Sequence, residues 1–213
     1  MVSPASGPRI GVLGIQGDFR EHIASLRALG ADAVLLRRPE ELAALDGVVI
    51  PGGESSVMDK LTRSFGLAAP LRDALRSGLP AYGTCAGMIM LAAGLANPIA
   101  GQETLGVLDV SVRRNAFGAQ NESFEIDIPM PALGERPVHA VFIRAPVVET
   151  HGDAVEVLGA LPDGRAVAVQ QGNILASAFH PEVVAGEDRF HRRFLEIIER
   201  AQCSSNGERE PAR

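Results

Sequence analysis

Thiols, positive charge and long apolar runs are all scarce in this chain. Only two cysteines, Cys85 and Cys203, occur in 213 residues. Cys203 sits near the end of a polar tail, so a structural disulfide with Cys85 is not expected. So few thiols suit a reducing compartment, where a lone cysteine is a candidate nucleophile. Lys and Arg number 20 against 26 Asp and Glu, a net charge of −6. That balance argues against nucleic acid as a partner and still permits a local basic pocket. No apolar stretch reaches the roughly 18 residues that a membrane span needs. Met1 to Pro8 lacks a basic region followed by an apolar run, so no secretory leader is expected. The expectation is a cytoplasmic protein without a membrane partner. Repeats and low-complexity segments are also lacking, and no histidine or cysteine spacing fits a metal site.

What is present alternates between strands and helices. Arg9 to Ile15 reads as a buried strand, broken by Gln16-Gly17-Asp18. Asp18 is placed to cap a helix running to about Leu29, ended by Gly30. Ala33 to Leu36 and Gly47 to Ile50 read as strands, the second stopped by Pro51-Gly52-Gly53. A helix opens at Ser55 or Ser56, and another covers Ala69 to Arg76. Pro80 to Thr84 is a strand, and Ala86 to Ala93 a helix. This order predicts a parallel sheet covered on both faces. After Gly101 the pattern turns to strands: Leu105 to Arg113, Glu122 to Ile128, Val138 to Ile143, Ala154 to Leu161, Ala166 to Gln170 and Ile174 to Phe179. Gly172-Asn173 predicts a tight hairpin between the last two. A helix from about Glu187 to Gln202 puts Phe190, Phe194, Ile197 and Ile198 on one face. The expected organisation is a flexible segment 1–8, one α/β domain over 9–202 with extra antiparallel strands, and a disordered tail over 203–213.

Two short motifs carry chemistry. Tyr82-Gly83-Thr84-Cys85-Ala86-Gly87 places a cysteine between a strand and a helix, with glycine two residues to either side. A nucleophile on so sharp a turn needs strained backbone angles, and side chains at the flanking positions would collide. The turn lifts the thiol above the carboxyl end of the sheet, where open α/β sheets hold ligands. The following helix N-terminus favours a thiolate, and the Ala86 amide points toward an oxyanion. The plainer alternative is an inert buried cysteine beside a glycine-rich turn. Phe179-His180-Pro181-Glu182 is the second motif. Pro181 biases His180 toward extended backbone, where residues i and i+2 share a side, so Glu182 can reach the imidazole. A carboxylate on one ring nitrogen leaves the other as a base toward a thiol. The alternative is a surface turn with a solvated glutamate. His22 is read as structural, and His139, His151 and His191 show no partner pattern.

Pro51-Gly52-Gly53-Glu54-Ser55-Ser56 brings backbone close to a ligand, and an amide there could complete an oxyanion hole. It is no phosphate loop, since no Gly-Lys-Ser/Thr follows, and Gly11 to Gly17 lacks dinucleotide spacing. Arg113, Arg114 and Arg144 are candidates to grip a carboxylate, although surface ion pairs are the simpler role for each.

The stretches GVLGIQGDFREHI, RRPEEL, GVVIPGGESS, GTCAGMIMLA, RRNAFGAQNESFE, FIRAP and FHPE occur in this order. Together they resemble the glutaminase subunit of pyridoxal phosphate synthase, within the triad (class I) glutamine amidotransferases. The resemblance spans nearly the whole chain to Glu182. It implies a flavodoxin-like, three-layer α/β fold. It implies Cys85 as nucleophile, His180 as base and acid, and Glu182 as the orienting carboxylate. It implies glutamine contacts at Gly53, Glu54, Ser55, Arg114, Ile143 and Arg144, with Glu54 on the ammonium and the arginines mainly on the carboxylate. Gly53 and Ala86 would supply the oxyanion amides. Ile89 and Ala86 stand where many triad amidotransferases carry a glutamine and a bulky residue, which fits the pyridoxal branch. The implied partner is a barrel-shaped synthase subunit, assembled as a dodecameric ring carrying up to twelve glutaminase subunits. Pyridoxal phosphate would be made on that partner, so no cofactor and no metal is expected here. A cysteine hydrolase of another kind, such as a peptidase, and a non-catalytic binding subunit are the other readings.

Overall fold

The computed structural model of the chain describes residues 7–117 and 123–207. The first half alternates as expected. Strands β1 (Arg9–Leu13), β2 (Asp32–Leu36), β3 (Gly47–Ile50) and β4 (Ala81–Thr84) are interleaved with helices α1 (Phe19–Ala28), α2 (Ser55–Ser64) and α3 (Ala68–Arg76). Helix α4 (Ala86–Leu91) follows Cys85 at once. The second half adds β5 (Ala92–Leu95), β6 (Leu108–Arg113), β7 (Ser123–Ile128), β8 (Val138–Ile143), β9 (Val147–His151), β10 (Glu156–Ala160), β11 (Ala166–Gln171), β12 (Ile174–Ser177) and helix α5 (Arg189–Gly207).

The main sheet runs β2-β1-β3-β4-β12-β11-β9-β6-β5, with β10 paired to β11. Neighbours from β2 to β12 are parallel, whereas β11, β9 and β10 pair antiparallel. Every residue of β3, β4 and β12 is buried, which is what two covered faces demand. Adjacent residues of β4 show the two faces directly. A Cβ on Gly83 would lie 2.6 Å from the Gly87 carbonyl carbon and from Leu91 in α4, while Tyr82 packs against Phe190 and Phe194 of α5. Successive strand residues point to opposite sides. The sheet is therefore the middle of three layers, as expected from the sequence. β7 and β8 form a separate two-stranded sheet. Its β8 strand runs beside the segment after β12, where the His180 amide donates to the Val141 carbonyl at 3.0 Å.

Several local expectations are corrected. Asp18 precedes α1, but its side chain makes no capping bond. Glu54, rather than a serine, caps α2 by accepting from the Ser56 amide. Helix α4 stops at Leu91, because Ala92–Leu95 is drawn into pairing with β6. Val147–His151, not anticipated, is a strand that joins β6 to β11. The stretch from Cys203, expected to be disordered, is helical to Gly207, since neither glycine nor proline interrupts it before that residue. Residues 1–6, 118–122 and 208–213 lie outside the described residues, so most of the expected flexible N-terminus and the end of the tail do too.

Glycine is obligatory at Gly87 for a packing reason. A Cβ there would sit 2.0 Å from the Ile50 carbonyl oxygen, which belongs to rigid buried backbone. Gly87→Ala is expected to destabilise the protein by about 1–3 kcal/mol, as overpacking does. Urea denaturation monitored by circular dichroism tests this; an unchanged midpoint would mean that α4 is free to move off β3.

Candidate active site

The carboxyl ends of β1, β3 and β4 and the segment after β12 surround one cavity of about 360 Å³. Open α/β sheets place ligands at this end, because helix N-termini and loops converge there. Cys85 lies at its floor. Its backbone has φ 47° and ψ −101°, a conformation that strains any residue with a Cβ. The Cys85 amide donates to the Ser177 carbonyl at 2.8 Å, which pins the turn to β12. Among the described residues three non-glycine positions have positive φ: Cys85, Asn115 and Arg144. All three line this cavity. Backbone strain gathered around a single pocket is a mark of function.

His180 reaches the same cavity from the other side. Its Nδ1 lies 2.8 Å from Glu182 Oε1, and both side chains are buried. The connecting backbone is not extended, as Pro181 had implied. Pro181–Val183 is a short 3-10 turn, which the fixed φ of proline starts readily, and that turn swings Glu182 under the ring. With Nδ1 engaged, Nε2 is left over, and the ring lines the same cavity as the thiol, whose Sγ lies 4.0 Å from the Ile143 carbonyl oxygen. Burial alone would lower the affinity of His180 for its proton. The neighbouring Cys85 and Glu182 overcome that penalty and raise its pKa to about 10. Burial likewise opposes ionisation of Glu182, yet His22 and His180 hold its carboxyl well below the usual range. The Gly52 backbone presses on the imidazole: a Cβ there would meet Cε1 at 2.3 Å. Glycine in this loop thus makes room for the histidine.

The rim supplies charge of both signs. Glu54, Arg114 and Arg144 line the cavity with Gly53, Ser55 and Ile143. Arg114 is buried and donates to Glu54 Oε1 and to Gln102 Oε1, each at 3.0 Å. Arg144 is exposed and has no ion-pair partner among the described residues. Ser55 is buried and accepts from Gln102 Nε2. Ala86 opens α4 directly behind the cysteine. The structure therefore brings all the nominated residues to one place, whereas Arg113 is turned away onto Glu149.

Other residues of the site were not nominated. Gln16 accepts from the Glu54 amide through Oε1 at 2.9 Å, holding the glycine loop. Asp18 Oδ2 stands 3.6 Å from His180 Nδ1. Their place at the end of the first strand was the available signal. Asp18, His180 and Glu182 offer three ligand atoms within 4.8 Å of one another. His180 Nδ1 is already committed to Glu182, so a cation there would have to break that hydrogen bond. A wider groove of about 920 Å³ beside α2 holds none of these catalytic candidates.

The geometry of a thiol, an imidazole and a carboxylate under a mixed-charge rim can be set against known proteins. Residues 12–200 match the model of the SNO glutamine amidotransferase family. The chain is 63% identical over 191 residues to the pyridoxal 5'-phosphate synthase subunit PdxT of Leifsonia xyli, covering 90% of this chain and 96% of that protein. It is 58% identical over 202 residues to the subunit of the same name from Acidothermus cellulolyticus, covering 93% and 97%. A crystal structure of a glutamine amidotransferase superposes with a TM-score of 0.82 at 46% identity, over 89% of this chain and 98% of that one. PurLQS from Thermotoga maritima shares the fold alone, with a TM-score of 0.64 at 18% identity over 89% and 98%. The chain belongs to the SNO glutamine amidotransferase family.

Proposed function

We propose that this protein is the glutaminase subunit of a pyridoxal 5'-phosphate synthase, hydrolysing L-glutamine to L-glutamate and ammonia through a thioester on Cys85. The observation that carries the reading is the position of His180, which shares one cavity with the strained Cys85 while its Nδ1 is held by Glu182.

The thiol proton already rests on His180, so the ion pair is in place when Cys85 Sγ attacks the side-chain carbonyl carbon of glutamine. Amides of Gly53 and Ala86 stabilise the oxyanion, each contributing about 3 kcal/mol. The C–N bond breaks as His180 returns the proton to the departing nitrogen, releasing ammonia. His180 then takes a proton from water, hydroxide attacks the thioester, and the sulfur leaves and is reprotonated. Glu182 keeps the ring in one tautomer throughout. Glu54 suits the substrate ammonium, and Arg144 with Arg114 suits its carboxylate.

Ammonia released into bulk water would be protonated and lose its nucleophilicity. A closed passage to a synthase subunit avoids that loss, and the chain's relatives are named as subunits of such a synthase. A dodecameric ring of synthase carrying up to twelve glutaminase subunits is the assembly we favour. A cytoplasmic setting suits the free thiols of Cys85 and Cys203. No described helix is long and apolar enough to cross a membrane.

Cys85→Ala is expected to abolish glutamate release from glutamine, measured with synthase present, while the thermal midpoint stays within a few degrees of wild type. Retained turnover would refute the assignment. Glu54→Gln is expected to raise KM for glutamine at least about tenfold with a smaller change in kcat, since the lost charge pair is made already in the ground state. An unaltered KM would remove Glu54 from the ammonium site.

The proton held by His180 also sets a pH dependence of stability. Its folded-state pKa is raised from 6.5 to about 10, so its contribution is complete below pH 6.5 and fades as pH rises toward 10. The thermal midpoint of wild type should therefore exceed that of His180→Asn most at pH 6.5, with the gap closing toward pH 10. A gap that stays constant over this range would mean that the ring carries no tightly held proton.

A further inference from the structure

Behind the carboxylate of Glu182 the structure holds two more histidines, His22 of α1 and His191 of α5, both completely buried. His22 Nε2 lies 3.0 Å from Thr84 Oγ1 and 3.5 Å from Glu182 Oε1. His22 Nδ1 lies 3.0 Å from His191 Nε2. Nothing in the glutaminase chemistry above uses either ring.

Hydrogen-bond bookkeeping fixes the protons. An ionised carboxylate only accepts, so the ring nitrogen facing Glu182 must carry hydrogen. The reverse tautomer would set a bare nitrogen lone pair against a buried anion. His22 Nε2–H therefore points at Thr84 and toward Glu182, and in the neutral ring Nδ1 accepts from His191 Nε2–H. That leaves His191 Nδ1 as a bare nitrogen, and it is a buried atom with no hydrogen-bond partner. A bare imidazole nitrogen tolerates this better than an orphaned N–H would. Burial above all lowers the pKa of His191, to about 3, so that ring stays neutral. Each N–H is then directed toward Glu182: His191 donates to His22, His22 Nε2–H donates to Thr84 Oγ1 and lies 3.5 Å from Glu182 Oε1, and His180 donates to Glu182 from the opposite side.

We propose that His22, set by His191, is a positioning residue of the active site: it holds the Glu182 carboxylate in place and so aims His180 at the thiol. The proposal rests on the glutaminase reading. Glu182 has one oxygen shared between two imidazoles while Oε2 has no partner, so without His22 the carboxylate would be tethered through His180 alone. The charged or titratable groups facing this row are Asp18 before α1, Tyr82 on β4, and Glu187 and Asp188 ahead of α5.

Two substitutions separate positioning from packing. The amide nitrogen of His22→Gln can reproduce the Nε2 donor toward Glu182. His22→Asn reaches only as far as Nδ1, so it keeps the arm to His191 and loses the one to Glu182. With synthase present, His22→Gln is expected to keep kcat for glutamine within about threefold of wild type. His22→Asn should lose at least about tenfold in kcat, the scale seen when outer partners of a site histidine are removed, with KM nearly unchanged. The acid limb of its kcat profile should also move to higher pH, because Glu182 loses a group that favours its charged form. Equal kcat and equal pH profiles for the two variants would overturn the proposal, as would equal losses that track their thermal midpoints. If wild type itself releases no glutamate with synthase present, the glutaminase reading falls instead.

Discussion

The backbone of Cys85 is the constraint around which this molecule is arranged. Its positive φ places the sulfur above the sheet, at a cost of about 1–3 kcal/mol for a residue with a side chain. The rest of the fold must hold that turn shut. The Ser177 carbonyl takes the Cys85 amide, and Gly83 and Gly87 let α4 descend onto β3 and β4 without a clash. Tyr82, one residue further back from Gly83, anchors β4 from beneath by packing on Phe190 and Phe194. The same strand therefore grips α4 on one face and the C-terminal helix on the other.

Charge in the site is organised by desolvation. His180 and Glu182 are both buried, and each would shed its charge if alone. Held together they do the opposite: the imidazole keeps its proton and the carboxyl keeps its charge. Such a pair is rigid, because separating the partners would strand a charge in a poor solvent. Rigidity suits the proposed chemistry, in which a proton moves between sulfur and imidazole at one fixed place. The rim works differently. Arg114 and Glu54 neutralise one another in a polar mouth, and an amino acid carrying both charges can compete for each.

Some of the site was legible because its geometry is local. Gly83, Cys85 and Gly87 define a strand-to-helix elbow within a few residues, and His180 and Glu182 are neighbours in sequence, so spacing alone pairs them. Even there the route differed, since a 3-10 turn rather than extended chain brings Glu182 under the ring. The Asp18 side chain reads as a helix cap by propensity, but proximity to His180 takes it elsewhere. Gln102 and Asn97, which fix Arg114 by side-chain hydrogen bonds, belong to a loop without any motif. The pairing of β9 with β6 and β11 was missed because Val147–His151 is short and its neighbours are distant in the chain.

Composition and pattern by themselves determined the layered α/β class, the elbow cysteine and the His-x-Glu pair, since each depends on contacts between residues close in sequence. Only the tertiary structure decided that Cys85 and His180, 95 positions apart, share one cavity, and that His22 and His191 stand behind Glu182. The physical reason is that a buried histidine carries no sequence mark of its role. Its tautomer and its charge are set by whichever groups the fold presses against it, and those groups come from helices at the two ends of the chain.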